Sequence, residues 1–150
     1  MFTKRLNLIG TALGTIGYLA VLASSAWAVS DVDTLERVIS ANHHTIKRVK
    51  TEIASSKDKQ QISKLKNKLA ILENDVQTQQ HRLDLYSMRA GDWVNLSDLS
   101  KQKHIRDAKL PAEYADSLTF YIMDHPTDIN VTLGALLADQ ARRYSRTQNN

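Results

Sequence analysis

Two stretches of the chain carry heptad repeats of apolar residues that cannot share one face of a single helix, and this conflict constrains the fold more than any other feature. In the first, Val32, Leu35, Ile39, Asn42, Ile46, Val49 and Ile53 recur at alternating spacings of three and four, the pattern of a coiled-coil seam with its a positions at 32, 39, 46 and 53. In the second, Ile62, Leu65, Leu69, Leu72, Val76, Gln79, Leu83 and Tyr86 do the same. Continuing the first run would put its next a position at 60, two residues short of Ile62. At about 100° per residue that slip turns the apolar stripe through about 200°. One straight helix would show two stripes on opposite sides.

A hairpin removes the conflict. In antiparallel pairing an a residue of one helix layers against a d residue of the other, so partners have residue numbers of constant sum. With a sum of 118 the layers are Ile53–Leu65, Val49–Leu69, Ile46–Leu72, Asn42–Val76, Ile39–Gln79, Leu35–Leu83 and Val32–Tyr86. Each polar seam residue then faces an apolar one. Asn42 and Gln79 either are tolerated in so long a seam or fix its register. The turn is expected to centre on Lys59, within residues 57–61, where Asp58 and Gln61 can cap the second helix. Ser30-Asp31-Val32-Asp33 has the form of a capping box for the first. The predicted class is all-α: an antiparallel coiled-coil helical hairpin, about 31–56 and 61–90, followed by a small helical C-terminal region.

In that region Ala90-Gly91-Asp92 reads as a helix stop with Gly91 in the left-handed conformation. Short helices are expected from Ser97 to Ala108, from Pro111 through a face of Tyr114, Leu118, Tyr121 and Ile122, and from Asp128 to Tyr144 with Ile129, Leu133, Leu136, Leu137 and Gln140 on one side. Asp124-His125-Pro126-Thr127 is a turn between the last two. Trp93 and these apolar positions are expected to form a core at the open end of the hairpin. The division is therefore 29–90 hairpin, 91–145 cap and 146–150 disordered tail. Two prolines and no cysteine in 150 residues agree with a helical chain held by packing alone.

The first 28 residues have the layout of an export signal. Lys4 and Arg5 precede an uncharged run from Leu6 to Ala23, and Ser24-Ser25-Ala26-Trp27-Ala28 supplies small residues before Val29. Cleavage is expected between Ala28 and Val29, after the Ala26-Trp27-Ala28 triplet. The alternative is an uncleaved membrane anchor, because the uncharged stretch between Arg5 and Asp31 is long enough for a span and carries Gly10 and Gly14 at a helix-pairing spacing. Either way the positive end stays cytoplasmic and the rest is exported, to the periplasm or beyond.

The sequence carries little that points to catalytic or metal chemistry. His43 and His44 are adjacent and diverge by about 100° on a helix, a poor chelating pair. His81 falls at an f position and is expected on the solvent side. Asp124, His125 and Asp128 form an acid–histidine cluster that turn chemistry explains equally well. No nucleophile elbow or phosphate-cradling glycine loop occurs. The expectation is no enzyme, no metal site and no cofactor.

Charge is more informative. Residues 47–68 hold Lys47, Arg48, Lys50, Lys57, Lys59, Lys64, Lys66 and Lys68 against Glu52 and Asp58, a net charge of +6, whereas residues 69–139 carry eleven acids and six bases. A hairpin would gather the cations into a basic tip. Solvated lysines flanking a seam account for such a pattern; so does contact with an anionic membrane surface or an acidic partner. Nucleic acid is disfavoured, since residues 47–68 contain no aromatic for base stacking.

These features describe an exported, non-enzymatic helical module for protein–protein interaction or self-association in a bacterial-type cell envelope, acting as an adaptor or as an assembly component. By layout the chain is similar to helical minor-pilus components of conjugative secretion systems, which also join a signal peptide to long helices with a small appendage. Two alternatives stand beside it: a periplasmic holdase chaperone, and, with the anchor kept, a membrane-anchored envelope protein similar in layout to phage spanins.

Overall fold

A computed structural model describes residues 32–124 and 129–139. The expected export segment, the Ser30 cap, the turn at 125–128 and the C-terminal tail lie outside the described residues. The architecture is an αα-hairpin of α1 (Val32–Ser55) and α2 (Lys59–Ser87), followed by α3 (Ala90–Asn95), α4 (Asp98–Asp107), α5 (Tyr114–Asp124) and α6 (133–139). There is no strand among the described residues. An antiparallel bridge joins Arg89 to Thr132.

The two long helices pack against each other along their length. In α1 the residues withdrawn from solvent are the seven seam positions and Thr45. From Lys59 to Gln77, α2 withdraws only Ile62, Leu65, Leu69, Leu72 and Val76. The Lys50 ammonium lies 2.9 Å from the Glu73 carboxylate, both at e positions, as flanking residues of antiparallel helices in this register should. At the open end a point beside Gly134 lies within 4 Å of both Val32 and Tyr86.

The turn is tighter than the sequence implies and lies nearer the first helix. It spans Ser56–Asp58 rather than centring on Lys59, because Asp58 is itself the N-cap: its carboxylate accepts from the backbone N–H of Gln60 at 2.8 Å and of Gln61 at 3.4 Å. A cap immediately precedes its helix, so α2 must begin at Lys59. Ser56 Oγ adds a bond to the Gln61 side chain at 3.2 Å and accepts from the Asp58 N–H.

The reading of Gly91 as a left-handed helix stop is overturned. No glycine among the described residues has positive φ, and Gly91 lies inside α3. The chain leaves α2 through an extended Met88 and Arg89, which pair with the segment before α6. Ala90 and Gly91 N–H donate to the carbonyls of Val131 and Ile129, and Leu133 N–H to that of Met88, each at 2.9 Å. The first two bonds serve free N–H groups of α3, whose N-cap Arg89 offers no side-chain acceptor. The glycine is required for close approach instead: a Cβ there would meet the Ile129 carbonyl oxygen at 3.1 Å.

Ser97 caps α4 by accepting from Ser100 N–H. At its other end Lys109 takes φ 51°, its N–H bonding Arg106 O and that of Leu110 bonding Ile105 O. This is a Schellman closure with a lysine where glycine is usual. The backbone before α5 turns through Pro111–Glu113, so α5 starts at Tyr114 rather than at Pro111. Thr132 Oγ accepts from Ala135 N–H at 3.4 Å at the start of α6.

The core sits at the hairpin's open end. Leu35, Leu85 and Tyr86 join Ala90, Trp93, Ile105, Ala108, Tyr114, Leu118, Tyr121, Ile122, Leu133 and Leu137 in one buried cluster. Trp93 is completely buried, its indole N–H donating to Thr119 Oγ at 3.0 Å.

Candidate interaction surfaces at the two ends

The eight cations of the tip all have exposed side chains. The acids near them are already engaged. Asp58 is held by the backbone of α2, Glu52 lies 3.8 Å from Arg48, and Glu73 is drawn to Lys50. Lys47, Lys57, Lys59, Lys64, Lys66 and Lys68 make no ion pair among the described residues. None of the large apolar side chains exposed on the molecule falls between residues 47 and 68.

The cap end presents the opposite chemistry. A groove of about 320 Å³ is lined by Gly91, Val94, Asn95, Ile122, Met123 and Ile129. Met123 and Ile129 of its lining are among the most exposed apolar side chains of the described residues, and Phe120 on α5 is exposed as well. Sequence reasoning assigned Ile129 to the core. Its carbonyl is committed to Gly91 N–H, and its side chain is left at the surface, 61% exposed. The outer face of α5 was missed as well. Its signal was present: Leu118, Phe120, Tyr121, Ile122 and Met123 carry apolar character past the one face that a small helix can bury.

Where the hairpin meets α4, its surface becomes two-sided. Thr78 and Leu85 are buried and His81 and Arg82 half-buried, on a face distinct from the seam. Arg82 Nε donates to the Ala108 carbonyl at 2.9 Å, closing the C-terminus of α4. The expectation of a solvent-facing His81 is corrected here, because α4 packs over that side of α2. A hydrogen bond from Lys103 at 2.9 Å holds the Asp107 carboxyl below its ordinary value, assisted by the charges of His81 and Arg106. Lys101 is buried along its stem with its ammonium 3.9 Å from Asp98, as long basic chains can be when only the head seeks solvent.

Two phenols in the core resist ionisation. Burial raises the pKa of Tyr86 and, much further, that of Tyr114. The Tyr114 hydroxyl is fully enclosed and without a hydrogen-bond partner among the described residues. His43 and His44 are exposed on α1, and no group of three or more His, Asp or Glu among the described residues could hold a metal ion. Among them, too, no helix is long and apolar enough to cross a membrane. In comparison with known proteins, no family model matches the chain, no curated protein matches it, and no solved structure matches its fold.

Proposed function

We propose that the chain is an exported, non-enzymatic helical interaction module of a bacterial-type cell envelope, an adaptor or assembly component with two chemically distinct ends. The observation that carries this reading is the separation of the two surfaces. Uncompensated lysines crown one end of the hairpin, and an apolar groove lined by Ile122, Met123 and Ile129 opens at the other. Between them run two helices, roughly 36 Å and 44 Å long at about 1.5 Å per residue. Such a rod holds two partners apart at a fixed distance. Export rests on the signal layout of residues 1–28.

The test is mass spectrometry of the protein purified from its native host, with a photo-crosslinking residue in place of Met123. The reading expects a mature N-terminus at Val29 and one defined protein crosslinked at the groove. An intact Met1 chain would instead make it membrane-anchored, and the absence of any crosslinked protein would count against an adaptor.

The groove also favours a second reading, a holdase that receives apolar segments of unfolded clients. That reading expects suppression of client aggregation by the purified protein and its loss in Met123→Lys. An adaptor expects neither.

A further inference from the structure

The lysine tip has a composition and an arrangement that select a kind of partner. Interface cores between proteins are rich in aromatic residues, Met and Arg and poor in Lys. The tip reverses this, since its one arginine is already paired with Glu52 and it exposes no large apolar side chain. A lysine ammonium is a compact, hydrated point charge that attracts anions without demanding a two-pronged geometry.

The six unpaired lysines are also spread around the hairpin. Lys47 and Lys64 stand at the outer b and c positions, Lys66 and Lys68 on opposite flanks at e and g, and Lys57 and Lys59 at the turn. No side of the rod collects them. A surface approaching along the hairpin axis meets the turn first and then charge on every side. A dense plane of negative headgroups suits such an arrangement, because each lysine gains attraction there independently of its neighbours.

We infer that the hairpin tip docks end-on against the anionic headgroups of a lipid bilayer. This rests on the interaction-module reading and names the partner of one end. Attraction decays over about 10 Å in 0.1 M salt. Lys57, Lys59, Lys64 and Lys66, nearest the turn, therefore carry most of it. Lys47, ten residues from Lys57 along a helix rising about 1.5 Å per residue, stands largely beyond that range.

The absence of cysteine allows a direct test in the full chain. An environment-sensitive fluorophore is placed on Gln60→Cys at the tip and, in a separate protein, on Asp116→Cys of α5. Each protein is titrated with vesicles of phosphatidylcholine alone and of phosphatidylcholine with phosphatidylglycerol. Gln60 stands at the end of the hairpin opposite Val32, so its label reports on the tip.

The tip label should respond to the anionic vesicles and not to the neutral ones, and the α5 label to neither. Affinity should fall about tenfold or more when Lys57, Lys59, Lys64 and Lys66 are all changed to Gln, and less for Lys47→Gln. Circular dichroism checks that the variants keep their helices. The inference is overturned by equal response to neutral vesicles, or by undiminished binding of the fourfold variant. Tighter binding to poly-glutamate or to a DNA duplex than to anionic vesicles also overturns it, in favour of an acidic protein or a nucleic acid. A protein crosslinked at Met123 with no vesicle binding would sink this inference alone; loss of both would sink the module reading as well.

Discussion

From Lys59 to Gln77 the face that α2 withdraws from solvent is one seam wide, whereas from Thr78 to Tyr86 it covers both the seam against α1 and a second face against α4. The distal half of the hairpin is thus a two-helix ribbon with half-buried leucines. The proximal half belongs to a core closed on several sides. Among the largest fully buried side chains of the described residues, Val49 alone lies outside that core; Trp93, Tyr86, Tyr114, Leu85, Ile105, Leu118, Leu133 and Leu137 all lie within it. Since apolar burial is the main favourable term in folding, stability is concentrated at one end and the charged surface is carried on the other.

The comparison is broken most severely by removing the centre of the core. Trp93→Ala should lower unfolding free energy by about 3–5 kcal/mol, read by denaturant titration, since it empties a fully enclosed site. A sharper version makes one chemical change at both ends. Leu85→Ala, in the core, should cost about 2–5 kcal/mol, and Leu69→Ala, in the half-buried seam, roughly 1–2 kcal/mol. Equal costs would mean that the distal seam is as enclosed as the core.

A change at the turn should be smaller and local. Asp58→Ala removes the cap of α2 and should cost about 1 kcal/mol, with faster amide exchange confined to the first turns of α2. The smallest expected effect distinguishes packing from polarity in the core. Tyr114→Phe should be close to neutral or slightly stabilising near pH 7, because the hydroxyl it deletes has no partner among the described residues. At high pH the same variant matters more. The unfolded phenol ionises near 10, its ordinary value, while the folded one stays protonated. Above about pH 10 the unfolded state therefore holds fewer protons, and stability falls as pH rises. Circular dichroism against pH should show alkaline unfolding beginning there, and its midpoint should move upward in Tyr114→Phe.

The hairpin was legible because its signal is local and repeated. Fifteen seam positions at spacings of three and four define two stripes, and a two-residue slip between them excludes a single helix. Asp58 was legible as a cap for the same reason. The second buried face of α2 was not, because three of its members, Thr78, His81 and Arg82, are polar and gain their burial from α4 rather than from apolar character. Nor was the end of α2. Residues 88 and 89 become extended to pair with 131–133, a partner more than forty residues away, and no local pattern announces that. Gly91 shows how such a residue misleads. Its letter marks a helix stop by propensity, while its place is fixed by the Ile129 carbonyl passing 3.1 Å from where a Cβ would stand. The basic tip was visible in the sequence as a net charge, but its six unpaired lysines emerged only with the geometry that engages Glu52, Asp58 and Glu73 elsewhere.

Whether the hairpin is anchored at one end and bare at the other is read by native-state amide hydrogen exchange on the full-length protein. Exchange along α2 should form a gradient, slowest around Leu85 and Tyr86, matching Trp93 and Leu118, and progressively faster toward Lys59. Uniformly slow exchange along α2 down to its first turns would contradict it, since only a further covering surface could protect a stripe one seam wide so well.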